Sequence, residues 1–363
     1  MPSSDFAAGA DYSSADRLLH RLALGFAPAM ETSFDLEWAR FGKTAEARPA
    51  GPPIFVCGLA RAGTSLVTRL IASAPGIAFP SYRDMPFPLA PNLWARLGGR
   101  KRRVAHAERG HADGLGHDLD TPEAIEEAFW RCFEGRRYIR RDGLSPAEPE
   151  AATLAAFGRY MTLVRLRGNG ERYLSKNNNN ILRVHPLAEA FPDALFVHPF
   201  RHPLAQARSL ERQHERACAL QRGDRFRLHY ANWLVHREFG LGRLSFRLPG
   251  FPSMRDELLV LDDWLAAWTA VYAHLLALPS TIRERQFFLD YDGLCRSPAS
   301  VMETLAEFLG LGAIAAPTVR PGESAGEEGR LPPDTERIHA ALFEAACRGS
   351  SSPVSGPPLG SRP

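Results

Sequence analysis

One segment limits the fold of this chain more than any other: Ile54-Phe55-Val56-Cys57-Gly58-Leu59-Ala60-Arg61-Ala62-Gly63-Thr64-Ser65. A short apolar run without alternation suits a strand buried on both faces. Two glycines five apart then turn the chain. Leu66, Leu70 and Ile71 supply the apolar stripe of a helix over Thr64 to Ser73. Amides in such a turn point inward, next to the positive end of the helix, which favours an anion.

The same alternation recurs along the chain. Strands are expected at Arg172 to Ser175, Ala194 to Val197 and Gln286 to Tyr291. Helices are expected through Leu182, Leu187 and Ala190, from Pro203 through Leu210, and after Pro298. Strand–helix alternation implies an α/β fold with a parallel sheet flanked by helices and ligands at the carboxyl ends of the strands. Asp120-Thr121-Pro122-Glu123 reads as a helix start, and Leu258, Leu261, Leu265, Trp268, Tyr272 and Leu275 as one helix face. Residues 1–50 form a helical lead-in, with a linker at Ala45 to Pro53. The α/β domain spans 51–347, and 348–363, rich in Ser, Pro and Gly, is expected to be disordered.

Composition narrows the partners. Hydrophobic residues make up 45% of 363, enough for a large core, and the formal charge is only +3. That charge is too small to require nucleic acid or an anionic membrane as partner, and no nucleic-acid partner is expected. No apolar run reaches the length of a membrane span, and Met1 to Ala10 has no secretory pattern. Five scattered cysteines without a C-x-x-C motif argue against a disulfide framework or a zinc site, so no metal and a cytoplasmic location are expected.

The turn has the spacing of a nucleotide P-loop, G-x-x-x-x-G-K-[ST], but Thr64 stands at the lysine position and the nearby cation is Arg61. Without that lysine, ATP or GTP turnover is disfavoured, and a donor with less charge on its transferred group fits better. Gly42-Lys43-Thr44 is no substitute, because Glu37 occupies the place of the upstream glycine. A second segment, Phe191 to Pro203, delivers Arg201 at a strand's carboxyl end, and Ser209 follows eight residues later on the helix that Pro203 opens. Both side chains can reach one anion there. The plainer alternative is an arginine capping a neighbouring helix and a serine on a wet face.

Together these segments resemble the sulfotransferase superfamily that uses 3′-phosphoadenosine 5′-phosphosulfate. Ala60-Arg61-Ala62-Gly63-Thr64-Ser65 is similar to the family's P-R-S-G-T-[ST] turn, and Arg201 with Ser209 to its R-x-P strand end and later serine. Phe288 to Leu311, with Tyr291-Asp292-Gly293-Leu294 and Phe308-Leu309-Gly310-Leu311, resembles its third block. The likeness covers about residues 52–312. Ala60 and Ala62 replace the usual Pro and Ser, and Lys176-Asn177-Asn178 stands where Lys-x-Pro or Lys-Thr-His is common.

The resemblance implies a P-loop-type sheet with largely helical insertions, 85–170 and 211–256, as an acceptor-side cap. It implies in-line sulfuryl transfer to a hydroxyl or amine of a small-molecule or glycan acceptor, leaving 3′,5′-ADP. Arg61, Ala62, Gly63, Thr64 and Ser65 would hold the 5′-phosphosulfate, Arg201 and Ser209 the 3′-phosphate, and Tyr291 belongs with the nucleotide site. Lys176 would sit near the leaving-group oxygen. Asp84 is the first candidate base, with a turn aspartate before Pro86 as the plain alternative and His106 or His111 as runners-up. Asn177 to Asn180 reads as a polar turn and helix cap. Arg100 to Arg103 reads as a solvated loop, and Phe226, His229, Tyr230 and Trp233 either line a pocket or pack. Two other functions stay open: a nucleotide-binding relative without turnover, and a P-loop kinase.

Overall fold

Ile54 and Val56 face one apolar cluster and Phe55 and Cys57 another, so the first strand has helices on both sides. A computed structural model of the chain describes residues 13–97, 122–146, 148–252, 259–317 and 329–349, and the backbone of 107–108 and 116–117. The chain starts with α1 (Ser14–Gly25) and α2 (Ala27–Glu46). Next come β1 (Ile54–Val56), α3 (Thr64–Ala72), β2 (Ile77–Ala78) and α4 (Pro91–Arg96). Two small antiparallel pairs, β3 (Ala107–Glu108) with β4 (Gly116–His117) and β5 (Ile139–Arg140) with β6 (Gly143–Leu144), flank α5 (Glu127–Tyr138). They are followed by α6 (Ala151–Gly168), β7 (Arg172–Lys176), α7 (Val184–Ala190), β8 (Leu195–Phe200), α8 (Pro203–Gly223) and α9 (Arg225–Trp233). The last elements are α10 (Leu261–Leu276), α11 (Ser280–Arg283), β9 (Gln286–Asp290), α12 (Tyr291–Arg296), α13 (Pro298–Leu309) and α14 (Pro333–Gly349).

The central sheet runs β2-β7-β1-β8-β9, and every pairing in it is parallel. From β1 the chain first builds β2 and β7 on one side, then β8 and β9 on the other. The topological switch therefore lies beside β1, where open α/β sheets bind ligands. On one face Val67, Leu174, Val197, Leu289 and Leu305 pack together. On the other, Phe55 stacks on Phe196 at 5.4 Å within a cluster holding Phe157, Tyr173 and Trp268.

The expected strands are all present, with shifted ends. β7 reaches Lys176 and β8 reaches Phe200. β9 ends at Asp290, because the Asp290 carboxylate accepts from Asp292 N at 2.9 Å and caps α12, so Tyr291 begins a helix. The expected helix at Pro122 begins later. Pro122 bridges to Ser81 and Glu123 N donates to Pro80 O at 3.2 Å, so both are extended before a 3₁₀ turn at Ala124–Glu126. Asp120 and Thr121 lie outside the described residues, as do residues 253–258 and 350–363. α14 was not among the expected elements, and α8 continues well into the segment 211–256.

His198 sits wholly buried on β8. Its Nδ1 lies 2.8 Å from Cys57 O and its Nε2 lies 3.1 Å from Gln286 Nε2, so the ring is neutral with its proton on Nδ1. Burial holds its pKa down to about 4 from 6.5. The unfolded chain therefore takes up this proton first as pH falls. The stability tied to His198 is present above about pH 6.5 and is lost towards pH 4, by about 3 kcal/mol in all. His339, held at about 4 by burial and then by His202, adds to the same window. Denaturation midpoints across that range check this: His198→Gln flattens the slope, and an unchanged slope refutes it.

Candidate active site

The glycine turn is shaped by close approaches. A Cβ on Gly58 would lie 2.9 Å from Pro199 O, where β1 and β8 come together. Gly63 has φ +85, and a Cβ there would lie 2.2 Å from Cδ2 of Tyr291. Only glycine allows both the left-handed turn and the ring against it. Arg61 also takes a left-handed φ, 68. The buried Gln206 amide donates to Leu59 O at 3.1 Å and to Ala60 O at 3.0 Å, and its oxygen accepts from Arg201 N at 3.3 Å. This one side chain holds the turn to the start of α8. Val67 N donates to Gly63 O, so the amides of Thr64, Ser65 and Leu66 precede the first bond inside α3 and are available to an anion.

The two sequence segments meet here. Arg61 Nε donates to Ser209 Oγ at 3.0 Å. A serine oxygen that accepts from a guanidinium keeps its own O–H for an anion. Arg201 lies with its guanidinium 5.7 Å from the centre of the Tyr291 ring, and its Nε is 3.6 Å from Asp292 Oδ1. Asp292 also accepts from His202 N at 2.8 Å. Burial pushes the Tyr291 phenol up to about 12, so it remains protonated at neutral pH. Arg61, Gly63, Ser209, Arg201 and Tyr291 thus surround the tips of β1, β8 and β9. Ser209 touches Arg61 from the first segment, whereas Arg201 is held by Asp292.

Lys176 closes β7 directly beside Val56 of β1. Its Nζ lies 3.4 Å from Oε2 of Glu123, and both side chains are largely buried. A dense polar cluster stands behind this pair. Asn177 Nδ2 donates to Glu127 at 2.6 Å, and Asn180 Nδ2 to Glu126 at 2.8 Å. Tyr173 and Trp130 also donate to Glu126, at 2.7 and 3.0 Å. Arg183 pairs with Glu127 at 2.7 Å, its guanidinium between Trp130 and Tyr138. Burial and then the Glu127 charge push the Tyr138 phenol well up, which keeps it a donor to Glu127 at 2.6 Å. The asparagine run is thus a turn that fastens α5 to the end of β7, with Asn177 capping the 3₁₀ turn Asn178–Leu182.

Asp84 is engaged otherwise. Its Oδ2 accepts from Ser81 N at 2.9 Å and its Oδ1 lies 3.4 Å from Arg167 Nε. Both oxygens therefore hold the turn Tyr82–Asp84 in place. His106 and His111 lie outside the described residues, as do Arg100 to Arg103. Sequence reasoning missed three residues at the site. Glu123 carries the helix-start signal of an acid after proline, but nothing local pairs it with Lys176. Gln206 and Asp292 follow Arg201 and Tyr291 closely in sequence, and only their contacts give them a task. Among the described residues no group of three or more His, Cys, Asp or Glu is placed to hold a metal ion, and no helix is long and apolar enough to cross a membrane.

Comparison with known proteins identifies a family. The profile of the Sulfotransferase family matches residues 52–244, more than half of the chain. The chain is 23% identical over 291 residues to omega-hydroxy-beta-dihydromenaquinone-9 sulfotransferase Stf3 of Mycobacterium bovis and of Mycobacterium tuberculosis. That match covers 75% of this chain and 66% of the relative, just short of two thirds of its length. Among solved structures, sulfotransferase STF1 from Mycobacterium tuberculosis aligns at 13% identity with a TM-score of 0.47, over 90% of this chain and 85% of the other. Sulfotransferase STF9 from Mycobacterium avium aligns at 17% identity with a TM-score of 0.46, over 88% and 74%.

Proposed function

The chain belongs to the sulfotransferase family, and from that premise we propose that it moves a sulfuryl group from 3′-phosphoadenosine 5′-phosphosulfate to a hydroxyl of a small-molecule or glycan acceptor. The observation that carries this reading is the meeting of Arg61 with Ser209, of Gly63 with Tyr291 and of Tyr291 with Arg201, which gathers the two segments expected to bind anions at adjacent strand tips. The donor supplies an activated sulfuryl group. Arg61 and the amides of Gly63, Thr64 and Ser65 are assigned to its 5′ end. Arg201 and the Ser209 hydroxyl are assigned to the 3′-phosphate, with Tyr291 beside the nucleotide.

The chain's own chemistry then falls to Lys176 and Glu123. Lys176 is assigned to charge on the leaving oxygen, and Glu123, 3.4 Å from it, to the acceptor's proton. Glu123 replaces Asp84 as the preferred base, because Asp84 is committed to Ser81 and Arg167. A transferred sulfuryl group carries less charge than a phosphoryl group, so fixed cations and amides meet its needs. The mycobacterial relatives act, by their name, on an omega-hydroxylated compound, which puts alcohols first in an acceptor panel.

Thermal unfolding with added nucleotide tests the donor site. 3′,5′-ADP at about a hundred times its Kd should stabilise the chain by about 3 kcal/mol. ATP with magnesium at the same concentration should do nothing. Arg201→Ala should weaken 3′,5′-ADP more than 5′-AMP. A preference for ATP with magnesium would reject the proposal in favour of a kinase. Turnover of labelled donor across the acceptor panel separates transfer from nucleotide binding alone.

A further inference from the structure

Nothing in the proposed chemistry uses the aromatic face of α9. Tyr230 is buried, but Phe226, His229 and Trp233 line an open cleft of about 750 Å³ whose other wall is α1. α1 has two unlike faces. His20, Ala23 and Leu24 are buried beneath it. On the opposite side Leu18, Leu22 and the following Phe26 are 57%, 59% and 60% exposed, three of the six large apolar side chains more than half exposed among the described residues. Arg17 and Arg21 stand beside these leucines, one turn apart, on the same cleft. Water alone would leave this apolar surface uncompensated.

The charge on this face is net positive. α1, α9 and the cap between α8 and α9 carry Arg17, Arg21, Arg225 and Arg227 against Asp16 and Asp224, and of these Arg17 and Arg21 line the cleft. Asp16 is taken up by Ser13 at the start of α1, at 2.8 Å from its hydroxyl. Asp224 is paired with Arg17 and Arg227, at 3.4 and 3.8 Å. Leucine and phenylalanine next to arginine, with a tryptophan at the rim, is the pattern of a helix lying in an anionic lipid interface. We propose that the cleft between α1 and α9 docks this protein on an anionic phospholipid bilayer, with Leu18, Leu22 and Phe26 entering the acyl boundary and Arg21 at the phosphates. The small net charge of the whole chain does not oppose this, because the local excess decides contact at a surface.

Docking here lies one short segment from the candidate site. After α9, Val235 O accepts from Asn179 at 3.1 Å and Glu238 accepts from Asn178 at 3.1 Å. His236 Nε2 lies 3.1 Å from Ala124 O, next to Glu123. The docking proposal itself does not depend on the transfer chemistry.

Sedimentation of the full chain with vesicles tests it. The chain should sediment with vesicles of equal parts phosphatidylglycerol and phosphatidylcholine, should release in high salt, and should stay in solution with phosphatidylcholine alone. Combined Leu18→Ser, Leu22→Ser and Phe26→Ser should lower partition at least about tenfold. The thermal midpoint and the response to 3′,5′-ADP should stay unchanged, since these side chains are more than half exposed. Arg21→Glu provides a second variant that leaves the apolar surface alone, and it should also lose vesicle binding. Equal partition of both variants, or no binding by the wild type, overturns the proposal. So does a wild type that is dimeric by light scattering and becomes monomeric in the triple variant, which would assign the cleft to a second copy of the chain.

Discussion

Glu123→Gln should lower kcat for sulfuryl transfer by about 10²–10⁴-fold while the response to 3′,5′-ADP stays near that of the wild type. Glutamine preserves the size of the side chain and can still meet Lys176, so the substitution removes the proton acceptor and little else. Lys176→Ala should cost about 10²–10³-fold, as the loss of one fixed charge partner of a developing anion. The double variant should fall well short of the product of the two losses, because both act on one step. Asp84→Asn provides the contrast. Its carboxylate holds Ser81 and Arg167 at the turn before Met85, so its loss should show in thermal stability more than in kcat. Full turnover in Glu123→Gln together with its abolition in Asp84→Asn would return the base to Asp84.

Glu127→Ala should destabilise the fold by about 3–5 kcal/mol, measured by denaturant unfolding. This is a large share of the roughly 5–15 kcal/mol that holds a domain together. Arg183 is buried between Trp130 and Tyr138, and Glu127 meets it with two hydrogen bonds, at 2.7 and 2.9 Å. Removing the carboxylate strands a buried cation, takes the acceptor from the Tyr138 hydroxyl and takes from Asn177 its shortest hydrogen bond. Replacing both partners by methionine should recover much of the loss, since no charge then remains to be desolvated. A cost below about 1 kcal/mol for Glu127→Ala would mean that water or another acceptor reaches Arg183 readily. If Lys176 acts as proposed, the cluster should also matter for activity, because it fixes α5 and the turn before it to the strand that ends in Lys176. Loosening it should reduce kcat even where the chain still folds.

The local signals were legible along the chain. An apolar run, two glycines and a helical stripe specify β1, the turn and α3, because the conformational demands of each lie within a few residues. Pro203 marks the start of α8 for the same reason. The sequence also placed Arg61 and Arg201 just after strand ends and Ser209 two turns along α8. Their partners were not legible. Arg61 and Ser209 are 148 residues apart, and Lys176 and Glu123 are 53 apart. No periodicity or composition encodes such contacts. They exist because parallel pairing puts β7 and β8 on either side of β1, and because Gln206 and the Glu126–Glu127 cluster then fasten loops and helices to those strand tips. Chain chemistry alone determined which residues stand at the ends of strands. Packing of both faces of the sheet decided which of them touch, since only the assembled layers bring distant side chains within hydrogen-bonding reach.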